Sequence, residues 1–505
     1  MKKASLHLIA VLVSVVLGFL ACGGDDYGRT REDGGSNGQF IAVTGVSVSP
    51  ATLSLTIGES RSLTATVRPS NATNQAVTWK SDSTRVEVVD GIVTAKTEGT
   101  ATITVTTQDR GYDATCVVTV YPAPTTNFEY NTLSVGNYHS VALKTDGSLW
   151  AWGHNSFGQL GDGTNTNRFM PYPIGNDSDW VSVVAGSYHT VALKSNGSLW
   201  AWGLNDKGQL GDGTTTRKSS PVRVGQDNNW VAVWAGSYHT VALKADGSLW
   251  AWGQNDKGQL GNATYTDRST PTRIAPDYDW VSVSAGNSYT VALKSNGSLW
   301  AWGLNDRGQL GDNTQTNRSA PIRIGVVNDW KSVSAGGAHT IALKIDGSLW
   351  VWGENNYGQL GDNTYTNRTA PIPIGTRTDW ELVIAGSYHT MAIRKDGSLW
   401  AWGNNAEGQL GDNTYTNRSA GVPIGTTDWA LVRAGFGNTM AIKTDGSLWT
   451  WGNNAEGQLG NGAGGFQQRE NKPIPVGTDN DWGGIPKKDA DKYNFVSIST
   501  VHCPN

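Results

Sequence analysis

"DGSLWAWG", residues 146–153, returns with little change at 196–203, 246–253, 296–303, 346–353, 396–403 and 445–452. The first tryptophan of each copy falls at Trp150, Trp200, Trp250, Trp300, Trp350 and Trp400, fifty residues apart, and Trp449 follows after 49. A period of this length belongs to a solenoid or a propeller. The repeat alternates apolar and polar residues and carries no 3.6-residue pattern, which excludes the helical solenoids. Residues 189–194, "HTVALK", read as a strand, and Asn196-Gly197 separates it from "SLWAWG". Asn-Gly or Asp-Gly between two such runs predicts a two-residue type I′ hairpin. That register places Leu193 opposite Trp200 and Val191 opposite Trp202 on a bulky face, with Ala192 and Ala201 on a small one. Stacking bulky on small makes Trp150, Trp152, Trp200 and Trp202 filler between neighbouring units. "GQLG" occurs in every copy, and Gln159, Gln209 and their equivalents read as buried hydrogen-bonding turn residues.

The chain around these repeats has 505 residues, a net charge of −4 and no basic stripe. Phosphate binding needs clustered Lys and Arg, so nucleic acid is excluded as the main partner. Lys2 and Lys3 precede an apolar run from Leu6 to Leu20, the pattern of an export signal over 1–21. The run ends in Phe19-Leu20-Ala21-Cys22, which resembles a bacterial lipobox, with Phe19 departing from the usual Leu. The resemblance implies acylation of Cys22. Asp25-Asp26 resembles the sorting signal of Gram-negative surface lipoproteins, so an outer-membrane, surface-exposed protein is expected. Residues 22–41 are Gly-rich and polar and read as a tether, and 122–131 as a linker. Cys116 reads as a buried apolar strand residue and Cys503 as a free thiol near the tail.

Residues 42–121 contain seven short β-rich runs punctuated by Gly, Pro, Asn and Asp, which predicts a β-sandwich with Trp79 in its core. "VTGVSVSPATLSLTIGESRSLTATVRPSNATNQAVTWKSD" and "GIVTAKTEGTATITVTT" resemble the bacterial immunoglobulin-like group 2 domain. The resemblance implies a stalk or adhesion module.

The unit "AGSYHTVALKSNGSLWAWGLNDKGQLGDGTTTRKSSPVRVG" resembles the regulator-of-chromosome-condensation repeat family through A-G-x-x-H-T, D/N-G-x-L-W-x-W-G-x-N and G-Q-L-G. It implies an all-β chain with a seven-bladed β-propeller over 132–505, preceded by the immunoglobulin-like sandwich. Thr132–Gly136 and Phe495–Ser499 both resemble the "VSVSAG" strand, so either could complete the end blade.

Positions shared by all copies read as scaffold, because a catalytic site needs one asymmetric constellation. His139, His189, His239, His339 and His389 hold one repeat position, occupied by Tyr289 and Asn438 in the other copies. That exchange points to a structural hydrogen bond and away from metal. "GDNTYTN", residues 361–367, reads as Asx-turns, since it lacks the Gly and closing Glu of a calcium loop. No nucleophile elbow, phosphate loop or Cys/His cluster is present, so no enzyme activity, cofactor or metal is expected. The variable positions at strand ends are the candidate binding rim: Tyr138, Tyr188, Tyr238, Tyr388, Trp234, His154, Leu204 and Leu304. The expectation is a monomeric, lipid-anchored surface protein that binds protein or glycan through one propeller face. The alternatives are a guanine-nucleotide exchange regulator, by family analogy, an inhibitor of a secreted enzyme, or a propeller enzyme.

Overall fold

In a computed structural model the described residues are 40–57, 60–97, 99–121 and 131–483. The signal segment, Cys22, most of the tether, residues 122–130, Phe495–Ser499 and Cys503 lie outside them.

Residues 133–475 build seven four-stranded antiparallel sheets in chain order, the blades of a propeller. Blade 2 is typical: an inner strand Trp180–Ala185, a hairpin of His189–Lys194 and Leu199–Gly203, and an outer strand Lys218–Arg223. The outer strands leave one edge of every sheet unpaired. Prolines at 171, 221, 271, 321, 371 and 473 lie in them and remove a donor where another chain could add.

The hairpin register differs from the sequence expectation by one residue. Thr190 pairs with Trp202, Val191 with Ala201, Ala192 with Trp200 and Leu193 with Leu199. The turn has three residues. Lys194 N–H donates to Ser198 O at 3.0 Å and Gly197 N–H to Lys194 O at 2.9 Å. A type I′ turn needs positive φ at both central residues, but Gly197 (φ +77°) has it while Asn196 does not. The Asp90-Gly91 hairpin in the first domain is the two-residue form: φ is 50° and 79°, and Val89 pairs with Ile92.

The corrected register moves the faces. Trp200 and Trp202 share a side with Thr190 and Ala192, while Val191, Leu193, Leu199 and Ala201 line the other. Blades stack the tryptophan side of one on the aliphatic side of the one before it: Val191, Leu193, Leu199 and Leu210 pack on Trp230, Ala242 and Trp252. The filler expectation therefore holds unequally. Trp152 and Trp202 are fully buried, whereas Trp150 and Trp200 are half-buried. A third tryptophan, Trp180, meets both Trp200 and Trp202 edge-on at 6.3 and 6.2 Å. Lys194 Nζ stands 4.7 Å from the Trp180 ring and 5.3 Å from Trp200, and is paired at 2.7 Å with Asp177. This cation between two indoles closes the turn end of the blade.

Blade 1 is composite. Its inner strand is the three-residue Leu133–Val135, from the N-terminal side. Trp482, from the C-terminal side, pairs with Lys144 where Trp180 pairs with Lys194 in blade 2. Leu133, Ala142 and Trp152 then pack on Met440, Ile442 and Leu448 of blade 7, so the closing contact repeats the others.

The first domain has sheets of two, three and four strands around Leu55, Val93, Ile103, Cys116 and Val118. It has nine strands where the sequence predicts seven, because two of the runs each divide in two. Trp79 packs against this core, half-buried, and burial raises the Cys116 thiol pKa.

Candidate binding face

In five blades the second strand opens at the repeat histidine, and in the other two at Tyr289 and Asn438. His189 is fully buried, and its neighbour Tyr188 is half-exposed. The histidines belong to a lattice joining the blades. Thr190 Oγ1 of blade 2 donates to the Gln159 carbonyl of blade 1 at 2.8 Å, and Trp202 Nε1 donates to the same oxygen at 3.0 Å. With its hydrogen committed, Thr190 Oγ1 accepts from His139 Nε2 at 3.0 Å. This fixes the Nε2–H tautomer and leaves Nδ1 as a buried acceptor without a protein partner. His189 and Thr240, with Gln209, repeat the arrangement. Burial holds His139 and His189 at about 3 and His239 at about 4, so they are neutral. Gln159 and Gln209 are buried, and each side-chain Oε1 accepts a backbone N–H two residues earlier. Gly161 closes the turn at φ +81°, where a Cβ would stand 2.6 Å from Trp202 Nε1.

Tyr188 and its equivalents come together on one face. Ring centroids are 6.1 Å apart for Tyr138 and Tyr188, and 6.3 Å for Tyr188 and Tyr238. Phe436 continues the series, 5.9 Å from Tyr138 and 5.7 Å from Tyr388. Tyr357 meets Tyr388 edge-on at 5.4 Å. His154 and Phe157 lie against Tyr188 at 6.0 and 5.2 Å. The arc runs from the end of blade 5 through blades 6, 7, 1 and 2 to blade 3. It stops where the tyrosine position becomes Ser288 and Ala338.

The axial channel opens beside this arc. It encloses about 160 Å³ and is lined by the glycines preceding the tyrosine loops, with Asn137, Ser187, Ser237 and Phe436 among its walls. Acidic groups stand near the rings. Burial raises the Tyr188, Tyr238 and Tyr388 hydroxyl pKa values, with Glu456, Asp206 and Glu354 adding to it respectively. Burial also raises the Glu354 carboxyl and lowers the His154 imidazole. Glu456 accepts from Asn167 Nδ2 at 2.7 Å. Among the described residues no three His, Cys, Asp or Glu side chains converge to hold a metal.

The other candidate rim residues lie apart. Trp234 is half-buried in the interface between blades 3 and 4, and Leu304 packs into that between blades 4 and 5. Leu204 is half-buried at the end of its strand. Phe436, Phe157 and Tyr357 were missed by the sequence reading. Comparing copies one position before the tyrosine, and three after the His154 position, would have found them. In "GDNTYTN" the Asp362 carboxylate accepts from Thr364 N–H at 3.0 Å, Asn355 Nδ2 at 2.9 Å and Arg368, an Asx-turn. A second, smaller cavity of about 130 Å³ lies between blades 5 and 6, against Trp380, Trp400, Trp402 and Gly421. Gly421 stands where six copies carry proline.

The comparisons agree with this architecture. The RCC1-like domain family model matches residues 226–503, regulator of chromosome condensation repeats match 146–193 and 196–243, and the bacterial Ig-like group 2 domain matches 42–130. Prp20p from Saccharomyces cerevisiae is similar in structure, with a TM-score of 0.60 and 21% identity over 72% of this chain and 95% of that one. Human WBSCR16 gives 0.59 and 22% identity over 66% and 94%. An Ig-like virion protein of Serratia phage KSP90 is 40% identical over 102 residues, 18% of this chain and 40% of that protein. The chain thus spans less than half the length of that curated relative. With a family match over more than half its length, the chain belongs to the RCC1-like propeller family and carries a bacterial Ig-like domain ahead of the propeller.

Proposed function

We propose that the protein is a binding module, displayed at a bacterial surface by a lipid on Cys22, whose aromatic arc engages a protein partner. The observation that carries this is the asymmetry of the arc: near-identical blades present aromatic rings around most of one face, and the series breaks at Ser288 and Ala338. Half-exposed Tyr and Phe on a rigid support are the side chains that concentrate binding energy with little loss of side-chain freedom. Prp20p, of the same fold, is described through its binding to Gsp1p and histones, which supports a protein partner over a small molecule. Among the described residues no constellation of acid, base and nucleophile stands over the channel, and the half-exposed rings support a binding role. Lys2, Lys3, the apolar run and Cys22 support the anchor, and the Ig-like domain would hold the propeller away from the membrane.

The test is capture from envelope extracts on the immobilised full chain, beside a Tyr138→Ala/Tyr188→Ala variant. A partner held by the parent and lost by the variant is expected. Equal capture by both would move the site off the arc, and metabolic labelling with a fatty acid that fails to mark the parent, or still marks Cys22→Ser, would remove the anchor.

A further inference from the structure

Resting on the reading of the arc as the binding face, we infer that its occupant is a polypeptide segment bearing arginine or lysine, seated across the tyrosines beside the channel mouth. Three features meet there. The rings of Tyr138, Tyr188 and Phe436 form a half-exposed strip with centroids about 6 Å apart, a spacing that lets a planar guanidinium or an ammonium lie over a ring face. Carboxylates border the same strip: Glu456 beside Tyr188 and His154, and Glu354 beside Tyr388. The channel beneath presents Asn137, Ser187 and Ser237, whose oxygens can accept from a cation's N–H groups.

Charge decides between this occupant and a neutral one. Glu354 is already largely buried, and Glu456 is held by an asparagine amide, a neutral donor. A neutral chain closing over the strip would strip water from Glu456 and return no charge, which is costly. A cation replaces the lost hydration and stacks on the rings in the same step. Of the guanidiniums at the border, Arg307 acts on Glu354, Arg469 Nη1 lies 4.0 Å from Glu407 and donates to the Ala406 carbonyl at 2.7 Å, and Arg217 lies 5.8 Å from the Phe157 ring. Arg217 shows that the strip already accepts a guanidinium from its own chain.

The experiment is calorimetric titration of the full chain with a hexa-arginine peptide, a hexa-glutamate peptide and a neutral glucose hexaose, at low and high salt. The arginine peptide is expected to bind, weakening with salt, and the other two are not. Tyr188→Ala should weaken it about tenfold and Glu456→Gln by roughly three- to tenfold, in line with single cation–π and charge contacts. Tyr188→Phe should bind like the parent, because the ring face is kept. Glu87→Gln and Tyr112→Ala, in the Ig-like domain, should change nothing. Arginine-peptide binding that is absent, or that survives both arc substitutions, overturns the inference. So does hexaose binding that Tyr188→Ala abolishes, which would make the occupant a glycan. In either case a partner captured through the arc in the extract experiment would leave the face itself standing, so the two readings fail separately.

Discussion

Tyr188 and His189 are adjacent in the chain and belong to different molecules in effect. His189 is sealed in a lattice that recurs from blade to blade: imidazole to threonine, threonine and indole to a glutamine carbonyl. Tyr188 stands one residue outside it, in a loop where the copies diverge to Ser288, Ala338 and Gly437. Repetition therefore marks what holds the ring together, and its failure marks where a partner can be told apart. Invariance in a repeat protein is a statement about the neighbouring blade, which imposes the same contact each time.

The comparison can be broken most forcefully with acid. His139, His189, His339 and His389 sit at about 3 in the fold, and His239 at about 4, against 6.5 when unfolded. The folded state binds fewer protons, so its stability is complete above pH 6.5 and falls as pH drops from there toward 3–4. Each histidine contributes up to about 1.4 kcal/mol per pH unit within that window. Thermal melts at pH 7 and pH 5 should show a large fall in Tm, while a flat profile would mean that the imidazoles protonate in place. Next in size, Trp202→Ala should cost about 3–5 kcal/mol, since it empties a fully buried indole site and orphans its lattice bond. Denaturant midpoints measure it. Tyr188→Ala should instead cost about 1 kcal/mol in the same melts while reducing partner affinity about tenfold. A loss of stability equal to that of Trp202→Ala would dissolve the distinction between the two positions. The smallest effect sharpens the rule from the other side. Gly421→Pro restores the residue of the other six blades over Trp400 and Trp402 and should raise stability by up to about 1 kcal/mol.

The propeller was legible in the sequence because its evidence is periodic: each of seven copies independently carries the hairpin, the tryptophan pair and G-Q-L-G. Register was not, because it turns on one backbone angle. Asp90-Gly91 and Asn196-Gly197 are nearly the same dipeptide, yet the first takes positive φ at both residues and the second only at glycine. That single difference reassigned every side chain of the hairpin to the opposite partner. Lys194 was equally visible in all copies bar the arginine of Arg394, but its role depends on Trp180, fourteen residues earlier in the chain and across the sheet. The tyrosines of the arc could be found by comparing copies. Phe436, Phe157 and Tyr357 could not at the same position, since Phe436 stands one residue before the tyrosine position and Phe157 and Tyr357 share a position in the following loop.

The way each blade meets the next has a consequence for the chain as a polymer. Every contact is head-to-tail, an indole side against an aliphatic side, and the described ring ends only because blade 1 presents Trp152 to Met440 and Leu448 of blade 7. A head-to-tail contact that fails to close has no reason to stop. Remove one repeat, and the two complementary sides no longer meet within a molecule but still fit those of its neighbours. A six-unit chain is thus expected to link end to end into filaments. The composite first blade, stitched from both flanks of the repeat region, is what makes this adhesive surface a private one.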